Sequence, residues 1–138
     1  MYSHKTKKRV RYGETDQMGY LYYGHYAQYY EIGRVEMLRS LGMTYKSMEK
    51  DLGILMPVMS LQQRFVRPAY YDDELTIETT LRKLPGETIT FYVEIFNPDS
   101  QLVNAGSVKL CFVEEKSEKT VNCPDQLLER LKPIFDGH

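Results

Sequence analysis

Asp16 is the residue best placed to do chemistry. It stands in the run Tyr12-Gly-Glu-Thr-Asp16-Gln-Met-Gly19-Tyr-Leu-Tyr22-Tyr23-Gly24-His-Tyr26, and a helical spacing begins where that run ends. A loop carboxylate opposite a helix N-terminus joins a base or nucleophile to backbone N–H groups that can hold a developing oxyanion. A second reading stands beside it, because Asp in such a segment also serves as a turn former that bonds its own backbone. Six of the twelve tyrosines, Tyr20, Tyr22, Tyr23, Tyr26, Tyr29 and Tyr30, fall in the same region. Packed around the loop, they would desolvate the acid and raise its pKa toward that of a useful base. They could equally be core and interface packing. Tyr23 and Gly24 could likewise be an ordinary helix start, whose amides act only on a carbonyl oxygen about 3 Å away.

Other catalytic patterns do not compete. The chain has no GxSxG elbow, no GxxxxGK[ST] or GxGxxG phosphate loop and no HExxH. Its histidines are His4, His25 and His138, so a Ser-His-Asp triad would have only His25 as base, and no metal site is expected. Cys111 and Cys123 form no CxxC and are expected to be reduced thiols of a cytoplasmic protein. The net charge is −1, which gives no pull toward nucleic acid or anionic membrane. No apolar run approaches the ~20 residues of a membrane span. The basic N-terminus lacks the apolar stretch of a secretory signal.

The elements that must position Asp16 follow from periodicity. With 138 residues the chain reads as one domain, 1–138, burying roughly two-thirds of its unfolded surface. Residues 5–12 read as a first strand, with Val10 and Tyr12 on one face and Arg9 and Arg11 on the other; the loop 13–23 follows. From 24 to 41 the steps Tyr26, Tyr30, Gly33, Met37 and Leu41 are helical, and Gly42 closes the helix. Gly33 inside it costs about 1 kcal/mol relative to alanine, which calls for a close backbone approach. A shorter helical stretch over 45–51 ends at Gly53. Strands are predicted over 56–66, 75–82, 89–96 and 102–113, the last three forming an antiparallel meander through turns at Pro85-Gly86 and 97–100. Asn122-Cys123-Pro124-Asp125 opens a closing helix with Leu127, Leu128, Leu131, Ile134 and Phe135 as its apolar stripe. The simplest assembly is a curved antiparallel sheet wrapped around the long helix. Val103, Ala105 and Cys111 alternate with Leu102, Val108 and Phe112, so apolar groups are expected on both faces of the last strand, and self-association with them.

The spaced pattern Tyr12-x-x-Thr15-Asp16-x-x-Gly19-x-x-Tyr22-x-x-x-Tyr26-x-x-Tyr29-x-Glu31, with the later Arg67-Pro-Ala-x-x-Asp-Asp73, resembles the acyl-CoA thioesterases related to 4-hydroxybenzoyl-CoA thioesterase and the Tol–Pal-associated thioesterase. The resemblance extends over nearly the whole element order. It implies the α+β hot-dog fold: about five strands curved around one long central helix, with a short C-terminal helix. It implies hydrolysis of an acyl-CoA to a carboxylic acid and free CoA, with Asp16 as the catalytic carboxylate and the Tyr23 N–H polarising the thioester carbonyl. Gly19, Tyr22, Gly24, Tyr26 and Glu31 are the positions it implies for substrate binding. It further implies a homodimer or homotetramer with sites between subunits. Coenzyme A would be part of the substrate rather than a separate cofactor.

Many Tol–Pal-type members carry histidine directly after the Tyr22 position, where this chain has Tyr23; the 4-hydroxybenzoyl-CoA enzyme has tyrosine there. His25, two positions on, does not inherit the histidine's role and is either a helix-surface or loop residue or a substrate contact. Glu31 is either a positioning acid or an exposed partner of Arg34 at spacing i,i+3. Lys5, Lys7, Lys8, Arg9 and Arg11 are either a solvated strand edge or contacts for CoA phosphates, with Arg64 and Arg67 as further candidates. The alternative to hydrolysis is a hot-dog module that binds acyl thioesters without turnover. A dehydratase would need a working histidine.

Overall fold

The computed structural model describes residues 1–136, and His138 lies outside the described residues. In chain order the elements are β1 (Tyr2–Arg9), α1 (Tyr26–Ser40), α2 (Tyr45–Ser47, continued by a π-helical turn Met48–Leu52), β2 (Ile54–Leu55), β3 (Val58–Phe65), β4 (Glu74–Leu81), β5 (Thr88–Phe96), β6 (Leu102–Glu114), β7 (Thr120–Val121) and α3 (Asp125–Asp136). The five long strands lie side by side in the order β1-β4-β5-β6-β3, every pair antiparallel. The two-residue strands β2 and β7 pair with the far end of β6. This is the hot-dog fold, with α1 as its central helix.

Alternation makes the core. Leu75, Ile77, Thr79 and Leu81 of β4 and Ile89, Phe91, Val93 and Ile95 of β5 point to one face and are buried. On α1 the buried positions Tyr26, Tyr29, Tyr30, Gly33, Met37 and Leu38 repeat at steps of three and four and meet that face. Each large side chain so buried contributes about 1.5–3 kcal/mol. Gly33 sits where helix and sheet come closest: a Cβ there would collide with the Thr79 hydroxyl and lie 2.8 Å from Ile77 Cγ2. The close approach expected of a mid-helix glycine is therefore present. On the last helix Leu127 and Leu131 are buried, with Leu128 and Phe135 packed at the core's margin.

Several boundaries differ from the sequence reading, each for a local reason. The first strand is Tyr2–Arg9 rather than 5–12, because β4 supplies partners for that span, from Tyr2–Leu81 to Arg9–Glu74. Val10 then turns inward and is buried, whereas Tyr12 sits in a short 3-10 turn and is exposed. The central helix begins with a 3-10 turn at Tyr23–His25 before its α-helical part. The strand expected over 56–66 is β3, Val58–Phe65, which starts after Pro57, and the two-residue β2 lies ahead of it. On β6, the register steps from Ile95–Asn104 to Phe96–Leu102, leaving Val103 as a bulge that is buried. Val108, Leu110 and Phe112 are buried, and the alternating positions Ala105, Ser107, Lys109, Cys111 and Val113 are exposed or half-buried. The exposed apolar surface expected on β6 lies instead on the edge strand β3, at Val58, Met59, Leu61 and Phe65. Among the described residues no helix is long and apolar enough to cross a membrane.

Replacing Gly33 by alanine removes a helix penalty of about 1 kcal/mol but adds overpacking that typically costs about 1–3 kcal/mol. A net loss of stability is expected, larger for Gly33→Val, read as a lower denaturant midpoint at unchanged slope. A stabilised Gly33→Ala variant would show that the sheet can recede.

Candidate active site

The chain leaves β1 into a segment whose backbone is held at several points by one other connection. Its first tie is Val10, which donates its N–H to Asp73 O at 2.9 Å and accepts from Asp72 N–H at 2.9 Å. Further on, Leu21 N–H donates to Ala69 O at 2.7 Å, Tyr71 N–H reaches Gly19 O at 3.3 Å, and Tyr20 bridges Tyr70. The Arg67-to-Asp73 stretch therefore clamps the Asp16 loop along its length. Asp73 also caps its own turn, taking Tyr70 N–H at 3.0 Å.

Inside the loop Asp16 is half-buried. Its Oδ1 accepts from Met18 N–H at 2.9 Å and Tyr20 N–H at 3.1 Å, and its own N–H donates to Tyr20 O at 2.9 Å. The turn-forming geometry weighed for Asp16 is present, and it uses one carboxylate oxygen. Gly19 closes the turn with its N–H on Asp16 O at φ +79°, a conformation a side chain rarely adopts. Thr15 hydroxyl donates to Tyr12 O at 2.7 Å, and Thr15 bridges Leu21.

The helix start follows directly. Tyr22 N–H donates to Glu14 O at 2.9 Å, and His25 N–H to Tyr22 O at 2.9 Å. Between them, among the described residues, the amides of Tyr23 and Gly24 take no backbone acceptor, as expected for the first positions of a helix. The Tyr22 ring lies against Gly24, where a Cβ would be 2.7 Å from Tyr22 Cε2. Tyr22 and Tyr23 are exposed, their ring centroids 4.8 Å apart, and Tyr23 packs edge-on against Phe65 at 6.3 Å.

The six clustered tyrosines split into two sets. Tyr26, Tyr29 and Tyr30 are core residues, and burial pushes the Tyr26 hydroxyl up to about 12. Tyr22, Tyr23 and the half-buried Tyr20 form an outer rim, extended by the edge-on pairs Tyr20–Tyr70 and Tyr12–Tyr71. His25, at the helix start, places Nδ1 3.2 Å from Gln28 Oε1 and its ring edge-on to Tyr22. Glu31 is exposed in the second turn of α1. Its expected partner Arg34 is buried and donates through Nε to Tyr45 hydroxyl at 2.9 Å.

Sequence reasoning passed over Glu14. Its Oε1 accepts from Arg11 N–H at 2.9 Å, from Lys8 Nζ at 3.0 Å and from Tyr29 hydroxyl at 2.8 Å. Burial works to raise the Glu14 pKa, but the Arg11 amide, Lys8 and Tyr29 together hold it below its ordinary value of 4.5. The same carboxylate, with burial, drives the Tyr29 hydroxyl upward. Of the basic run, Lys5, Lys7, Lys8 and Arg9 each have an acidic partner, at Glu78, Glu74, Glu14 and Glu74 respectively. A shallow groove of about 510 Å³ beside them is lined by Arg9, Arg11, Tyr12 and Tyr71. A larger groove of about 720 Å³ crosses the outer sheet face at Arg64, Glu78, Tyr92 and Glu94, away from the Asp16 loop. No metal-binding cluster of His, Cys, Asp and Glu occurs among the described residues.

Comparison with known proteins adds a family. The profile of the Thioesterase-like superfamily matches residues 10–131. The provisionally named acyl-CoA thioesterase YneP of Bacillus subtilis (strain 168) is 33% identical over 122 residues, 88% of this chain and 87% of its own. The acyl-CoA thioester hydrolase YbgC of Escherichia coli O157:H7 is 27% identical over 124 residues, 90% and 92% of the two chains. Among solved structures, a DHNA-CoA thioesterase from Staphylococcus aureus superposes with a TM-score of 0.88 at 29% identity, covering 100% of this chain and 97% of that one.

A depressed carboxylate contributes stability that is present above its unfolded pKa and lost as pH falls through its folded one. The stability difference between the wild type and Glu14→Gln should therefore be largest near neutrality. It should shrink as pH falls below Glu14's ordinary 4.5. Urea titrations at stepped pH measure it, and a difference that stays constant down to acid pH would contradict the assignment.

Proposed function

Because this chain belongs to the thioesterase-like superfamily, we propose that it hydrolyses the thioester of an acyl-CoA, releasing a carboxylic acid and free CoA. The observation that carries this reading is the pairing of one half-buried carboxylate, with a single oxygen committed to its loop, and two unengaged amides at the start of α1. The thioester carbonyl would sit at the N–H of Tyr23, with Gly24 beside it, where the helix dipole adds positive potential. Asp16 then acts through its uncommitted oxygen. It either attacks the carbonyl carbon to give an acyl-enzyme anhydride, expelling CoA thiolate, or takes a proton from the water that attacks.

In this reading Gly19 holds the acid's turn, and Tyr22 and Gly24 shape the helix start. Tyr26 walls the site from beneath, and Glu31 contributes a charge further along α1. Coenzyme A enters as part of the substrate, and the chemistry calls for no separate cofactor. The pattern from Tyr12 to Glu31 supports a place among the 4-hydroxybenzoyl-CoA and Tol–Pal-associated thioesterases. The two free thiols, Cys111 and Cys123, support a cytoplasmic setting.

The edge strand supports self-association. β3 pairs with β6 on one side only, and its helix-facing residues Met59, Leu61 and Phe65 are exposed. A long apolar edge of this kind is suited to pairing with a second copy of itself. Phe65 also touches Tyr23 and Tyr26, so a second copy on this edge would border the site. That matches the expected homodimer, or a homotetramer built from it, with sites between subunits.

Thiol release should be followed across a panel of aliphatic and aromatic acyl-CoAs. Asp16→Asn keeps the shape and removes the charge, and kcat on the best substrate should fall by ~10²–10⁴-fold. Near-normal turnover would exclude both routes. Binding of acyl-CoA by the wild type without thiol release would instead favour the non-catalytic module. Light scattering should give a dimer or a multiple of it, and Leu61→Arg should shift the mass toward the single chain. A wild type that stays monomeric at high concentration would remove the β3 interface.

A further inference from the structure

Glu14 carries more ties than any other side chain near the loop, and none of them is needed for the carboxylate chemistry itself. One oxygen, Oε1, gathers the Arg11 amide, Lys8 of β1 and Tyr29 of α1 at 2.8–3.0 Å. Lys8 also donates to Arg9 O at 2.7 Å and lies over the Tyr29 ring, 5.1 Å from its centroid. Tyr29 is fully buried, and Glu14 is the acceptor of its hydroxyl. The Glu14 backbone carbonyl separately takes the Tyr22 N–H at 2.9 Å. Glu14 is thus two residues from Asp16 along the chain and one hydrogen bond from the residue preceding the Tyr23 amide.

We propose that Glu14 is a positioning residue: it sets the separation between the Asp16 carboxylate and the Tyr23 and Gly24 amides by locking the loop to α1 through Tyr29 and to β1 through Lys8. The proposal rests on the reading of Asp16 as the reacting carboxylate. Glu14 touches neither the thioester nor its carbonyl. Its effect is geometric, and geometry is where such a site is sensitive, since a shift of about 1 Å in a reacting group costs about 10²-fold in rate. The charge matters because it keeps three donors on one oxygen. A neutral acceptor of the same shape retains the Tyr29 and Arg11 bonds and loses most of the attraction to Lys8.

The test compares Glu14→Ala, Glu14→Gln, Tyr29→Phe and the double variant Glu14→Ala/Tyr29→Phe in the full chain, with Tm recorded for each. Glu14→Ala should lower kcat by about 10–10²-fold while KM stays within about threefold. Tyr29→Phe should lower kcat less. The double variant should be no slower than Glu14→Ala alone, because both act through one link. Glu14→Gln should recover most of the lost rate. Multiplying losses, or a lower Tm with kcat unchanged, would overturn the positioning role and leave only a contribution to folding. Amide hydrogen exchange at Met18, Tyr20 and Tyr22 separates this proposal from the hydrolase reading. If the wild type cleaves no acyl-CoA, the hydrolase reading fails, and faster exchange at those amides in Glu14→Ala still supports loop positioning. Unchanged exchange there would overturn it.

Discussion

A long connection that stays rigid without regular structure of its own must find a partner for every buried peptide group. That demand governs the segment between β1 and α1. Its partners come from turns within the segment itself and from one other connection, the stretch from Val66 to Asp73, which supplies Ala69 O, Asp73 O and the N–H groups of Tyr71 and Asp72. Two loops distant in sequence therefore behave as one body. The second loop is itself rigid because Ala69 is fully buried and Asp73 turns back on Tyr70. Asp16 inherits its orientation from this body rather than from a helix or strand.

The sheet and helix set where that body sits. α1 packs on β1, β4 and β5, and Gly33 lets it lie low against β4. Its N-terminus consequently emerges beside the end of β1 and the loop that follows. On β3, Phe65 meets α1 at Tyr26, while Met59 and Leu61 stay exposed. One packing decision thus produces both features that the proposed function draws on: an amide-bearing helix start that follows the loop acid, and an apolar strand edge that ends at Phe65 against Tyr23 and Tyr26.

Strict alternation in β4 and β5 and the steps of three and four in α1 made the layers readable from sequence, because burial on one face imposes a period. The bulge at Val103 broke that period: the sequence reading set Val103 on one face with Ala105 and Cys111, whereas it is buried. Tyr12 was assigned to the first strand because it continued Val10's alternation, yet β4 offers no partner beyond Glu74 for it to pair with. The tyrosine cluster looked like one environment and proved to be two, since sequence proximity does not tell a buried helix face from the rim beside it. Glu14 escaped notice for a related reason. Its three donors come from β1, the loop and α1, and no local spacing records a meeting of that kind. The Asp16 turn and the Gly19 that closes it were legible because both are local.

The exposure of the site rim bears on how such an arrangement could work. Hydrogen bonds from amides to a developing oxyanion are strong only where water is kept away. In the single chain Tyr22, Tyr23 and Gly24 are open to solvent, and Asp16 is only half-covered. A second chain pairing along β3 would bring protein to the Phe65 end of that edge, and so to the rim at Tyr23. Under the proposed function, assembly and electrostatics would be one requirement: the chain would supply the acid and the amides, and the partner's surface the low-dielectric wall that makes those amides count.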